Sequence, residues 1–227
     1  MACMFPLLIP MMPNPTIATP GSRPKIRIVT SLTIIGSNVI MVKTWLGVVG
    51  RNGSGKSTVC DYLSSQGFHV YSLSDIVRHH AQMDGLPMDR DTLTELANQL
   101  KDQHGKHYFA ICVLANAANS AMVVFDSIRH PLELETLRKS GVCFIGVHAP
   151  LIDCYERIVQ RAKGTDHVTF EEFKRQDDYE MNGKSSGQLI SECLGMCDYS
   201  IENSGDIQQL HRQVDHIVNQ LKVAHAN

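Results

Sequence analysis

Apolar positions follow two rhythms along this chain, and the rhythms alternate. Short continuous apolar runs, "KTWLGVVG", "FHVYSL", "AMVVFDS", "VCFIGVHA" and "CDYSIEN", each end at a glycine, an acid or a polar turn, and predict five buried strands. Between them the spacing is helical. Leu93, Leu96, Ala97 and Leu100 fall at i, i+3, i+4 and i+7, and Ile207, Leu210, Val214, Ile217, Val218 and Leu221 line one face of a last helix. Further helices are expected over Lys56–Gln66 (ended by Gly67), in "SDIVRHHAQMDG" with Ser74 as its cap, in "KHYFAICVLANAAN", in "HPLELETLRKSG" with Pro131 early, and in "LIDCYERIVQRAKG". Strands alternating with helices predict an α/β domain: a parallel five-stranded sheet sandwiched by helices. In such sheets ligands bind at the carboxyl ends of the strands. Gly50, Ser74, Asp75, Asp126 and His148 are all expected there.

The first forty residues break this pattern. They contain no acid, their only charges are Arg23, Lys25 and Arg27, and "FPLLIPMMP" is interrupted by prolines, unlike a signal peptide. The uncharged run from Ile28 to Val42 is too short and too polar to span a bilayer. Residues 1–40 read as a disordered leader or an over-extended start, with organelle import an open alternative, and residues 41–227 as the folded domain. The 227 residues carry a formal net charge of −2, which gives no footprint for a nucleic-acid polymer or an anionic membrane. The seven cysteines are scattered, and Cys193 and Cys197 lack zinc-ligand spacing, so buried thiols in a reducing cytoplasm are expected. A monomer or small homo-oligomer is the expected state.

The chemistry enters with Gly50-Arg51-Asn52-Gly53-Ser54-Gly55-Lys56-Ser57, which fits G-x-x-x-x-G-K-[ST] between a strand and a helix. Its glycines let backbone N–H groups turn around phosphates, and the helix behind adds its positive end. Lys56 is expected to bridge the outer phosphates of ATP, and the Ser57 hydroxyl to ligate Mg²⁺, with Thr58 next on the helix. Asp126, at the end of a buried strand, is expected to hold the same ion, directly or through water. It is followed by Ser127 and not by the Glu with which ATP-hydrolysing machines commonly activate water. That favours transfer to a substrate. N-K-x-D and D-x-x-G, which a GTPase would show, do not occur in the expected places.

A kinase also needs cations for a second, anionic substrate and for the charge between the two. Arg157 and Arg161 share one helix face and lead into a polar segment that can close as a lid; Arg129 leaves the Asp126 strand, and Arg78 follows the second strand.

On these residues the chain, from Met41 to about Leu221, resembles the P-loop nucleotide kinases. "GVVGRNGSGKSTV" and "GFHVYSLSDIVR" are similar to the opening of dephospho-coenzyme A kinases and of archaeal kinase-like proteins. "VVFDSIRHPLELETLR" is closer to the Asp-x-x-Arg segment of viral-type deoxynucleotide kinases, and "DYSIENSGDIQQL" to the turn that contacts adenine. The resemblance implies an acceptor-binding helical insert at about 74–119 and a lid at about 161–186. It implies that Asp75 faces the acceptor, that Arg78 and Arg129 hold its anionic groups, that Arg161 and Arg157 serve the lid, and that Asn203 to Gly205 flank adenine. The implied activity is ATP- and Mg²⁺-dependent phosphorylation of a small acceptor: a (deoxy)nucleoside monophosphate first, dephospho-coenzyme A second. A nucleotide-binding regulatory protein without turnover is the reading from another class.

Overall fold

The computed structural model describes residues 43–161, 169–183 and 188–224, together with the backbone of a short antiparallel pair, β1 (Ile34–Ile35) and β2 (Asn38–Val39). Apart from that pair the segment expected as a leader lies outside the described residues, as do 162–168 and 184–187 of the segment expected as a lid. The domain's strands are β3 (Thr44–Val49), β4 (His69–Ser72), β5 (Met122–Asp126), β6 (Cys143–His148) and β7 (Tyr199–Glu202). All pair in parallel, in the order β4-β5-β3-β6-β7, with Leu46 opposite Val124 and Cys143 at the centre. The five expected strands are the five observed.

The strands read as unbroken apolar runs because both sheet faces are covered. Along β3, Trp45 and Val49 point to one core, and Leu46 and Val48 to the other. The first core packs under α2 (Leu73–Met83), α3 (Arg90–His104), α4 (Tyr108–Ala117), α5 (Pro131–Lys139) and α8 (Ile190–Gly195). The second packs under α1 (Lys56–Ser65) and α9 (Ile207–Ala224). The order in which β3 lies between β5 and β6 puts the loop after β3 at the middle of the carboxyl edge. Asp126 ends the strand on one side of it, and His148 the strand on the other.

Two local expectations are corrected. Ser74 is not a cap: β4 stops at Ser72, α2 opens at Leu73, and Ser74 lies inside its first turn. Ile207 stands at the solvent-exposed start of α9, whereas Leu210, Val214, Ile217, Val218 and Leu221 are buried as predicted. The polar stretch expected to close as a lid contains a helix, α7 (Phe170–Asn182). Thr169 opens it by accepting from the Glu172 N–H while the Glu172 carboxylate accepts from Thr169, and Gly183 closes it in the left-handed region. Among the described residues no helix is long and apolar enough to cross a membrane, and five of the six cysteines are buried free thiols.

Candidate active site

The loop Gly50–Gly55 is held from three sides. Gly53 and Gly55 have positive φ (79° and 101°), and a Cβ on either would run into the Cys154 carbonyl or the Asn203 amide, so the backbone passes where no side chain fits. Asn203, buried just after β7, donates from Nδ2 to the Ser54 carbonyl at 2.8 Å, and its own N–H bonds to the His148 carbonyl. Arg157, from α6 (Leu151–Arg161), donates to the carbonyls of Asn203 (2.7 Å) and Gly53 (3.3 Å). These two residues therefore brace the loop's backbone. Asn203→Ala is expected to lower unfolding free energy by about 1–3 kcal/mol, because the Ser54 carbonyl loses its buried donor. Denaturant titration reads this; an unchanged midpoint would show that the amide contributes nothing to the loop.

Inside the loop the Lys56 ammonium donates to the Arg51 carbonyl at 2.7 Å. Burial pulls its pKa below the usual lysine value, opposed by the negative charge of Asp126. Asp126 has one carboxylate oxygen, Oδ1, buried without a hydrogen-bond partner among the described residues. Leaving such a group alone costs about 1–3 kcal/mol or more. An orphaned carboxylate oxygen beside the loop fits a hard cation such as Mg²⁺. The donor set offers no softer alternative: no group of three or more His, Cys, Asp or Glu side chains converges as a metal site among the described residues.

Beyond Asp126, Ser127 takes the left-handed backbone conformation (φ 64°), uncommon for a residue with a side chain. This turns its hydroxyl back into a cluster with Ser72 (2.9 Å), Ser74 (3.3 Å) and Asp126 Oδ2 (3.3 Å). The cluster lies at the margin of a cavity of about 350 Å³ between α2, α3 and α7. Four cationic side chains line that cavity, Arg78, Arg90, Lys101 and Arg129, against two carboxylates, Glu133 and Glu180. Leu93, Ala97 and Phe109 give it an apolar wall.

Each charge has a local cause. Glu133, almost fully buried, accepts from the N–H groups of Arg129 and His130 and pairs with buried Lys101 at 3.1 Å. This anchors the turn carrying Arg129 to α3. Arg129 donates to Gln188 at 2.9 Å and lies 3.6 Å from Glu180. Arg78 bonds to Ser74 and to Asp75 (2.7 Å). Asp75 itself is exposed in the first turn of α2 and does not line the cavity; the strand end expected at Asp75 is at Ser72. Arg161 is exposed at the end of α6, and Gly205 lies beside Gln209. The charges of Asp126, Arg129 and Glu180 all act on Lys56, so loop and cavity adjoin.

Arg90, Lys101, Glu133, Asp177 and Glu180 were not singled out from the sequence. Lys101 alone carried a signal: it falls four residues after Ala97, on the apolar face of α3.

A family model described as AAA domain matches residues 46–180, more than half of the chain, from β3 through most of α7. The chain belongs to this family of P-loop domains. The UPF0200 protein of Hyperthermus butylicus is 29% identical over 177 residues, covering 77% of this chain and 92% of that protein. A UPF0200 protein of Pyrococcus abyssi is 28% identical over 182 residues, covering 77% and 95%. Among solved structures, TT1252 from Thermus thermophilus superposes with a TM-score of 0.56 at 20% identity, covering 79% of this chain and 98% of that one. Shikimate kinase from Acinetobacter baumannii, in complex with shikimate, gives 0.52 at 16% identity, covering 81% and 97%. The AAA domain here thus shares its fold with that shikimate kinase.

Proposed function

We propose that the protein is an ATP- and Mg²⁺-dependent kinase that transfers the γ-phosphoryl group to a small anionic acceptor. The first candidate acceptor is a (deoxy)nucleoside monophosphate, and the second is dephospho-coenzyme A. One observation carries this reading: a phosphate loop and a cation-lined cavity adjoin at the same sheet edge, with Asp126 and Ser127 at their junction.

In this mechanism the loop's N–H groups and Lys56 grip the β- and γ-phosphates, and Ser57 and Asp126 hold the magnesium ion. The ion, when bound, neutralises charge on the phosphate oxygens. Arg129 and Arg78 hold the acceptor's anionic group from the cavity side, and the apolar wall at Leu93 and Phe109 takes its uncharged part. For a monophosphate acceptor, one of its anionic phosphate oxygens forms the new bond to the γ-phosphorus as the bond from that phosphorus to the bridging oxygen breaks and ADP leaves, with no proton to place. The chain's contribution is positioning and charge, with no covalent intermediate.

The test is incubation with ATP, Mg²⁺ and a panel of nucleoside monophosphates and dephospho-coenzyme A. The expected result is ADP and a phosphorylated acceptor in equal amounts for one class of the panel. ADP without a phosphorylated acceptor would make the protein a hydrolase, and tight ATP binding with no turnover would favour the regulatory-protein alternative.

A further inference from the structure

The side chain of Glu180 sits where a ligand's anion would be expected. It projects from α7 into the cavity and is mostly buried (11% exposed); Arg90 Nη2 donates to its Oε1, and Arg129 Nη1 lies 3.6 Å from the same oxygen. The two guanidinium groups come from separate parts of the chain, the start of α3 and the turn after β5. One helical turn earlier, Asp177 (5% exposed) pairs with Arg51 of the phosphate loop at 3.1 Å. Burial pushes the Asp177 carboxyl up, with the Arg51 guanidinium opposing. A single helix face thus holds cations of both the loop and the cavity.

We infer that Glu180 is an internal occupant of an anion subsite formed by Arg90 and Arg129, and that the acceptor's phosphate must displace it, the exchange being tied through Asp177 to Arg51. This rests on the reading of the cavity as the acceptor site. Arg90 and Arg129 both face Glu180, so two guanidinium groups stand against one carboxylate, an arrangement suited to a phosphate monoester. A tethered carboxylate competes at an effective concentration in the millimolar range. A ligand monocarboxylate, with the same charge and two oxygens, gains little by replacing it. A phosphate group brings nearly two charges and three acceptor oxygens for the same two guanidiniums. Glu180 thereby raises the threshold for entry and selects phosphate over carboxylate, with Arg90 as a specificity-determining partner. Gln176, which accepts from Arg90 Nη1 at 3.0 Å, keeps that guanidinium turned towards the subsite.

The experiment reads binding without turnover. The full chain is saturated with a non-hydrolysable ATP analogue and Mg²⁺ to fill the phosphate loop, and inorganic phosphate is titrated by calorimetry, with acetate in a parallel arm. Glu180→Gln is expected to bind phosphate at least tenfold more tightly than the wild type, and to bind acetate where the wild type does not. Adding Arg90→Gln to it is expected to remove both gains. Phosphate affinity that is unchanged or weaker in folded Glu180→Gln would overturn the inference, as would a gain that survives the loss of Arg90. If Glu180→Gln does not fold, Glu180→Ser is read by the same criteria. Absence of transfer to every acceptor in the panel would sink the kinase reading and leave this measurement standing. Tighter phosphate binding would leave that reading to its own assay.

Discussion

Lys56→Ala is expected to lower phosphoryl transfer by about a thousandfold while the domain stays folded, a loss of about 4 kcal/mol of transition-state stabilisation. The reason lies in where the ammonium sits. It is enclosed by the loop and donates to the Arg51 carbonyl, and burial disfavours its charge while Asp126 favours it, so the negative charge of a triphosphate would meet a cation already held in place. Alanine removes that cation without opening a core, since the side chain lies in the loop and not among the sheet-packing residues. The checks are initial rates with the acceptor found from the panel, and circular dichroism with a thermal melt for the fold. Transfer near the wild-type rate would mean that the phosphate loop is not the reaction centre.

Arg129→Ala is expected to reduce kcat/KM ten- to hundredfold while leaving affinity for the ATP analogue nearly unchanged, on the scale of about 1.5–3 kcal/mol for one charge-assisted contact. Its backbone is anchored by Glu133, and its guanidinium faces the cavity beside Glu180 and Gln188. Asp75→Asn is the contrast. The resemblance to nucleotide kinases placed Asp75 against the acceptor, but it stands outside the cavity lining, exposed and bonded to Arg78, so its substitution is expected to stay within about twofold of wild type, as surface changes of within about 0.5 kcal/mol do. Rates and calorimetric ATP-analogue binding for both variants settle the assignment. Equal losses in the two would return Asp75 to the acceptor site. A loss of ATP-analogue binding in Arg129→Ala comparable to that of Lys56→Ala would move Arg129 to the donor side.

The strands and the phosphate loop were legible because each is a local property. A strand covered on both faces is a run of apolar letters, and the loop's glycines and lysine are contiguous. The cavity was legible only in part. Arg129, which lines it, follows a strand end, whereas Arg90 opens a helix like many surface arginines and meets its partner Glu180 ninety residues later. The helix α7 has a signal that the eye passes over, Thr169-Phe170-Glu171-Glu172, a capping box at the head of an acid-rich stretch. Its charges suggested solvent, and partners elsewhere in the chain bury Asp177 and Glu180. The bracing contacts of Arg157 are not legible, because nothing in the sequence reveals that the Gly53 and Asn203 carbonyls lie within its reach.

That last contact bears on the order in which the protein is made. The phosphate loop leaves the ribosome near position 50, but the side chains that steady it come from positions 157 and 203. The strand, loop and first helix emerge together as a contiguous unit, yet closing contacts across more than a hundred residues must wait for the rest of the sheet. A nascent chain that has reached only α4 holds the glycines and the lysine without the grip that sets their shape. Capacity to cradle phosphate is therefore a property of the finished domain, acquired when β7 adds the last edge of the sheet.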